Sequence, residues 1–190
     1  MHMRDIPFPH PTVHSQLEAE PHRMSGVDYK EARSIYYFTV NDLNGEPVSL
    51  EKYEGHVCII VNIASECGLS KTHFEELKEL HKRYAESKGL RILAFPCNQF
   101  ARTEPGDRSN IKHYVKTLNL PFDVFDKIHV NGKDGSPLWK YLKLHQGGVL
   151  GDFIKWNFTK FIVNKEGQPV ERFGPNTSPN ELVDSLKKYW

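Results

Sequence analysis

Cys67 is the residue of this sequence whose position is best suited to covalent chemistry. It lies between an apolar run at residues 57–63 and a segment of helical periodicity that starts near Thr72. Because the N–H groups and the dipole at a helix N-terminus favour anions, they favour the thiolate form of a cysteine placed there. A lone cysteine is more often a small buried apolar residue, but the adjacent Gly68 and the two polar residues before Cys67 favour a reactive position.

Hydrogen-bond donors lie next to two other predicted strands and could share a pocket with Cys67. Gln99 lies in the loop after the second apolar run, and Trp156 and Asn157 begin a later predicted strand. Ligands of open α/β sheets gather at the carboxyl ends of the strands. Amide and indole N–H groups stabilise a thiolate and can hold the two oxygens of a peroxide. These residue types therefore indicate attack of a thiolate on an O–O bond, which gives a sulfenic acid. Taken singly, the Gln also fits a solvated loop residue and the Trp a core residue.

The predicted elements have the order of a thioredoxin-like α/β fold, with a central mixed β-sheet flanked by helices. An N-terminal β-hairpin turns at Asn44 and Gly45, and a βαβ unit follows it. Thr72 and Glu75 have the spacing of a capping box at the start of the first helix. The predicted bounds are 35–40 and 47–50 for the hairpin, 57–64, 90–95, 158–163 and 170–173 for strands, and 72–87, 107–118, 136 onward and 178 onward for helices.

Composition limits the function classes. A chain of 190 residues with 38% hydrophobic content suits one domain with a core, and a net charge of +1 predicts no general attraction to nucleic acid. Three cysteines argue against a disulfide-stapled secreted fold, and the scattered histidines predict no metal site. Residues 1–32 contain four prolines and no apolar segment, so we expect a flexible extension, a domain over 33–190, and a cytoplasmic protein without a signal peptide or membrane span.

Three segments resemble the signature blocks of the glutathione peroxidase family. They read VNIASECG at 61–68, LAFPCNQF at 93–100 and WNFTKF at 156–161, and the resemblance covers about residues 35–190. It implies a thioredoxin fold and an antioxidant enzyme that reduces hydrogen peroxide and organic or phospholipid hydroperoxides to water and alcohols. Glutathione is then the reducing co-substrate and no bound cofactor is needed. The family's tetrad of Cys or selenocysteine, Gln, Trp and Asn maps onto Cys67, Gln99, Trp156 and Asn157.

The length of the segment before Trp156 resembles one type within that family. Tetrameric members carry a longer insertion there, whereas only about a dozen residues, 144–155, precede Trp156 in this chain. The segment is similar to that of the monomeric phospholipid hydroperoxide type, whose open site admits bulky lipids. The resemblance therefore implies a monomer that makes transient contact with membrane lipid.

The chain departs from the family pattern at the residues expected to bind the thiol donor. Leu69 stands where the phospholipid type often has Lys, although Lys155 is kept. The loop at 100–106 also departs from the usual Gly-x-Gln-Glu-Pro-Gly, and its Arg102 can supply a replacement positive charge. Lys155, Arg102 and Leu69 are therefore the candidate substrate-binding residues.

Two alternatives to a glutathione-dependent enzyme stay open at this point. Thioredoxin-dependent members carry a resolving cysteine in the helix after the Gln loop, but residues 111–118 contain none. Cys97 or Cys58 would have to resolve the sulfenic acid through an internal disulfide. The other alternative is a peroxide sensor that passes its oxidation to a partner protein without turnover.

Overall fold

The computed structural model describes residues 27–148 and 151–190. Most of the predicted extension, residues 1–26, lies outside the described residues. The part that is described packs onto the domain earlier than the predicted boundary after residue 32. Ala32 is buried in the core, and Tyr29 packs against the same cluster. Three of the six described residues that the sequence assigned to the extension, Val27, Tyr29 and Ala32, therefore pack against the core.

A small antiparallel hairpin opens the domain, as predicted. Strand β1, Thr39–Asn41, pairs with β2, Pro47–Ser49. The strand predicted over residues 35–40 is wrong in its first half, because Ile35–Tyr37 forms a 3₁₀ helix. The hydroxyl of Ser34 accepts a hydrogen bond from the N–H of Tyr36, which caps this short helix and competes with strand pairing.

The centre of the molecule is a five-stranded mixed sheet with the order β5-β4-β3-β6-β7. Its strands are β3 Cys58–Ile63, β4 Arg91–Pro96, β5 Asp123–Val124, β6 Lys160–Val163 and β7 Pro169–Phe173. β3 pairs in parallel with β4 and antiparallel with β6, and every residue of β3 is buried. A strand covered on both faces needs apolar residues without alternation, which explains the apolar run around it.

Helices cover both faces of the sheet. They are α1 Ser70–Tyr84, α2 Arg108–Leu118, α3 Pro137–His145 and α4 Val183–Leu186, with a 3₁₀ helix, Pro179–Leu182, directly before α4. Phe74 and Leu77 of α1 pack in one core cluster with Ile59 of β3, while Trp139 of α3 packs in a second cluster with Ile60. Alternate side chains of β3 therefore pack into two core clusters, one on each face of the sheet. Among the described residues, no helix combines the length and the apolar character that a membrane span requires.

The start of α1 differs from its prediction, and the difference matters for the site. The helix begins at Ser70, so Thr72 and Glu75 lie inside it and do not form the predicted capping box. The hydroxyl of Ser70 donates to the carbonyl oxygen of Ala64, at the end of the β3 segment. This bond joins the strand end to the helix start and leaves only a short turn between them.

Candidate active site

Cys67 lies in the short turn between β3 and α1. Its residue is 8% exposed, whereas Cys58 and Cys97 are each 0% exposed. The N–H of Ser70, the first residue of α1, donates to the carbonyl oxygen of Cys67 at 2.9 Å. Among the three cysteines, all of which are free and described, Cys67 alone reaches the surface.

The loop after β4 braces the turn that carries Cys67. The buried carboxylate of Glu104 accepts hydrogen bonds from the backbone N–H of Ser65 at 2.7 Å and from its hydroxyl at 2.8 Å. The N–H of Glu66 donates to the carbonyl oxygen of Thr103 at 2.9 Å. Burial raises the pKa of Glu104, while the two bonds from Ser65 oppose that shift. The turn is thus attached to the neighbouring loop on both residues that precede Cys67.

Asn62, the one polar residue of β3, attaches the segment of Trp156 to the sheet. Its side chain is fully buried, donates to the carbonyl oxygen of Trp156 at 3.2 Å and accepts from the N–H of Thr159 at 3.0 Å. Its own carbonyl oxygen accepts from the N–H of Phe158 at 2.7 Å. These bonds hold Phe158 at a φ of 60°, in the left-handed region that a bulky residue rarely adopts. Sequence reasoning missed this role, although a polar residue inside an apolar strand was its visible signal.

Asn157 and Thr103 make the contact that joins the two halves of the site. Asn157 is fully buried, and its Nδ2 donates to the hydroxyl oxygen of Thr103 at 2.8 Å. The hydroxyl of Thr103 donates in turn to the carbonyl oxygen of Phe100 at 2.9 Å. The Oδ1 of Asn157 is buried and has no hydrogen-bond partner within the described part of the chain. A buried acceptor of this kind is available to a donor that enters the site.

Trp156 presents an indole ring at the surface of the same segment. The residue is 39% exposed, and its ring centroid lies 5.9 Å from that of Phe100, in the loop after β4. The ring is therefore held against the loop that braces Cys67 while part of it stays accessible to a ligand.

Gln99 bonds to the backbone of residues 130–131, and the side chain of Asn131 bonds in turn to the backbone of Ile154, two residues before Trp156. Its Oε1 accepts from the N–H groups of Val130 at 2.7 Å and Asn131 at 3.0 Å, and its Nε2 donates to the carbonyl oxygen of Asn131 at 3.0 Å. Within the described residues, none of its hydrogen bonds reaches Cys67, Trp156 or Asn157. The structure therefore joins Asn157 to Thr103, which sequence reasoning did not select, instead of to Gln99.

We expect Gln99→Ala to act on stability more than on chemistry. Loss of the three bonds should lower the free energy of unfolding by about 1–2 kcal/mol, at about 0.5–1.5 kcal/mol for each bond and with partial compensation by water. Gln99→Glu keeps both acceptor bonds from the 130–131 backbone but turns a carboxylate oxygen toward the Asn131 carbonyl oxygen, so it should also lose stability. Urea unfolding measures the stability, and rapid-quench oxidation of Cys67 measures the chemistry. If Gln99→Ala lowered the oxidation rate strongly and left stability unchanged, Gln99 would act directly on the reacting atoms.

The two other thiols are poor nucleophiles in this fold. Burial raises the pKa of Cys58 to about 12, and burial also raises the pKa of Cys97. Both are completely enclosed in the core on the α3 side of the sheet. Neither supplies an accessible thiolate near neutral pH.

The three candidate substrate-binding residues lie in separate places. Leu69 is the N-cap residue of α1 and packs against the core cluster that contains Cys67. Arg102 is exposed on the loop after β4, and Lys155 is exposed beside a cavity of about 190 Å³ that Arg172 also lines. None of the three lines the groove that opens at Cys67, as far as the described residues define it.

Comparison with known proteins identifies relatives over most of the chain. The family model for glutathione peroxidase matches residues 35–143. A phospholipid hydroperoxide glutathione peroxidase of Bos taurus is 49% identical over 164 residues, which are 85% of this chain and 83% of that protein. A glutathione peroxidase of Schistosoma mansoni is 51% identical over 159 residues, which are 83% of this chain and 94% of that protein.

Solved structures agree with this likeness. The crystal structure of Trgpx in apo form has a TM-score of 0.70 and 32% identity, and the match covers 83% of this chain and 95% of that one. A thioredoxin family protein of Chlorobium tepidum has a TM-score of 0.58 at 20% identity, over 84% of this chain and 98% of its own. The second likeness bears on the fold alone. Together with the strand order, it confirms the predicted thioredoxin-like fold.

Proposed function

This chain belongs to the glutathione peroxidase family, and we propose that it reduces hydrogen peroxide and organic hydroperoxides, phospholipid hydroperoxides included, with glutathione as electron donor. The observation that carries the proposal is the accessible thiol of Cys67 in a turn whose Glu66 bonds to Thr103, the residue that also bonds to Asn157. The bovine relative is a phospholipid hydroperoxide glutathione peroxidase, which supports phospholipid hydroperoxides as substrates.

The catalytic cycle needs no metal or prosthetic group. The Cys67 thiolate attacks the terminal peroxide oxygen, the O–O bond breaks, and the departing oxygen takes a proton to become an alcohol or water. Glutathione then attacks the sulfenic sulfur and releases water, which leaves a mixed disulfide. A second glutathione thiolate attacks the glutathione sulfur of that disulfide and returns the Cys67 thiolate together with oxidised glutathione.

The residues near Cys67 have different roles in binding the peroxide. We assign the indole N–H of Trp156 as a donor to the peroxide oxygens, since the indole is a donor only. The unpartnered Oδ1 of Asn157 can accept the O–H of the hydroperoxide. Gln99 contributes through the 130–131 backbone, whereas Thr103 keeps Asn157 in place. This assignment keeps all four tetrad residues in the mechanism but gives Gln99 an indirect role.

Thr103 stands where the family pattern Gly-x-Gln-Glu-Pro-Gly has Gln, so its replacement tests the site directly. Thr103→Gln introduces amide N–H donors. In this variant hydrogen peroxide should oxidise Cys67 about tenfold faster than in the parent, because one bond to a charged group contributes roughly 1.5 kcal/mol or more. Thr103→Val keeps the shape, removes the partner of Asn157, and should react about tenfold more slowly. Rapid-quench mass spectrometry of Cys67 with hydrogen peroxide gives both rates. If Cys67 were oxidised equally fast in Thr103→Val and in the parent, the contact between Thr103 and Asn157 would have no part in the mechanism.

The donor is tested by turnover. Purified protein is given a phosphatidylcholine hydroperoxide or hydrogen peroxide, with glutathione or with thioredoxin and its reductase. We expect glutathione to sustain turnover, because Cys58 and Cys97 are enclosed and residues 111–118 hold no resolving cysteine. Turnover with thioredoxin alone would contradict the proposed donor, and a single oxidation without turnover would support a sensor.

Three further parts of the proposal concern the surroundings of the enzyme. Phe153 and Trp156, 56% and 39% exposed, are apolar side chains available for transient contact with membrane lipid, and the exposed Lys155 and Arg102 offer positive charge to anionic groups. We propose a monomer, for which light scattering should give the chain mass of 22.0 kDa. Three free thiols fit a reducing compartment such as the cytoplasm.

A further inference from the structure

A groove of about 420 Å³ opens at Cys67 and runs between α1 and α2. We infer that this groove binds glutathione, with its thiol at Cys67 and its charged ends along α1; the inference rests on the proposed function. The residues that line the groove are Ser65, Cys67, Gly68, Ser70, Lys71, Phe74, Glu75, Lys78, Tyr114 and Leu118. Its volume lies in the range of roughly 300–1,000 Å³ that is usual for sites of small molecules.

One face of α1 presents charges to the groove in the order positive, negative, positive. Lys71, Glu75 and Lys78 are separated by four and then three residues, so they lie on one side of the helix. Within the described residues these three side chains form no ion pair with one another, although their spacing permits it. The ammonium of Lys78 is held across the groove by the carbonyl oxygen of Leu118 at 3.0 Å. The three charges therefore do not neutralise one another and can pair with a ligand.

Glutathione carries the complementary set of charges. Near neutral pH it has two carboxylates and one ammonium, which match two lysines and one glutamate in number and sign. The ammonium and one carboxylate of glutathione are bound to the same α-carbon, that of the γ-glutamyl residue. They can therefore pair with Glu75 and Lys78, which are neighbours on the helix. The glycine carboxylate then pairs with Lys71, which of the three charged residues is nearest to Cys67 in sequence. The rise from Lys71 to Lys78 is about 10.5 Å, close to the span of an extended tripeptide.

The floor of the groove suits the uncharged part of the same ligand. Phe74 is 3% exposed, and the half-buried Tyr114 and Leu118 form the opposite wall. These side chains can cover the methylene groups of the γ-glutamyl residue. A fatty acyl chain would also meet apolar atoms here, but it offers no ammonium for Glu75 and no second carboxylate. The charge pattern thus favours the donor over the lipid substrate.

Docking in this groove places the thiol for the first reducing step, and the second glutathione reaches the mixed disulfide from solution. The first glutathione thiolate attacks Sγ of the Cys67 sulfenic acid, an S–S bond forms, the S–O bond breaks, and the hydroxide takes a proton to leave as water. The second thiolate attacks the glutathione sulfur of the mixed disulfide, and Cys67 leaves as thiolate. Two electrons pass from two thiols to the sulfenic sulfur, so no other reductant is needed.

The test compares two donors on oxidised protein. Cys67 is oxidised with one equivalent of hydrogen peroxide, and its reduction is followed with glutathione and with uncharged dithiothreitol. In Lys71→Glu and Lys78→Glu, the ratio of the glutathione rate to the dithiothreitol rate should fall by about fivefold to twentyfold, because an attraction becomes a repulsion at a partly exposed site. Lys78→Gln keeps a donor for the Leu118 carbonyl and should show a smaller fall of about threefold. The matched control is Lys116→Glu, an exposed position of α2 outside the groove lining, which should keep the parent ratio.

Glu75 provides a second arm that depends on the ligand ammonium. The parent should react about threefold faster with glutathione than with N-acetylglutathione, and Glu75→Gln should lose that preference. The proposed binding of glutathione in the groove is overturned if the Lys71 and Lys78 variants keep the parent ratio of glutathione rate to dithiothreitol rate. It is also overturned if Arg102→Glu and Lys155→Glu lower that ratio instead. A change confined to the KM of a fatty acid hydroperoxide would also overturn it, since the groove would then hold the peroxide substrate. Failure of glutathione to reduce the parent protein at all would overturn the proposed function itself.

Discussion

Replacement of Cys67 by serine should lower hydroperoxide turnover by at least about a thousandfold, because a hydroxyl near its ordinary pKa is a far weaker nucleophile than a thiolate. The substitution keeps a small polar side chain at a site that is 8% exposed, so the fold should stay intact. The measurement is steady-state turnover with glutathione, with the circular dichroism of both proteins as the check on folding.

The matched control is Cys97→Ser, which should keep most of the activity. Cys97 is fully enclosed, and burial raises its pKa. After one equivalent of hydrogen peroxide, the peptide map of the parent should place one added oxygen on Cys67, and a second equivalent without thiol donor should convert it to sulfinic acid. A crosslink between Cys67 and Cys97 in that map would contradict the scheme and support the thioredoxin-dependent alternative.

Replacement of Asn62 by alanine should lower the free energy of unfolding by about 1–3 kcal/mol, because it leaves a buried N–H without an acceptor. The N–H of Thr159 loses its partner, and the carbonyl oxygen of Trp156 keeps only the hydroxyl of Thr159. The segment that carries Trp156 and Asn157 should loosen, and oxidation of Cys67 should slow by about tenfold. Urea unfolding and rapid-quench oxidation measure the two effects.

Asn164→Ala is the control for this prediction. The Oδ1 of Asn164 also accepts a backbone N–H, that of Gln168 at 2.9 Å, but the bond lies in an exposed turn. Water can replace that acceptor, so we expect a loss of stability of about 1 kcal/mol or less and an unchanged oxidation rate. If Asn62→Ala and Asn164→Ala had equal effects on both measurements, the proposed attachment of the Trp156 segment would be refuted.

Sequence alone determined the fold class and selected Cys67 as the candidate thiol. Buried strands need apolar runs, and turns need glycine or polar residues, so both are encoded locally. The βαβ unit and the last hairpin predicted a mixed sheet, which the observed strand order confirms, and the place of Cys67 between a buried strand and a helix made it the candidate nucleophile. The bounds were less accurate where a single side chain decided them, as Ser34 did before the first 3₁₀ helix and Ser70 did at the start of α1.

Only the tertiary structure decided which side chains meet at the site. Gln99 and Thr103 lie in the same loop, yet Gln99 bonds to the 130–131 backbone while Thr103 meets Asn157. Asn62 holds the N–H of Thr159, 97 residues away along the chain. A hydrogen bond between segments so distant depends on how the strands are ordered and which way each side chain points. Residue type and spacing do not carry that information, because a loop amide can satisfy its bonding equally well in either direction.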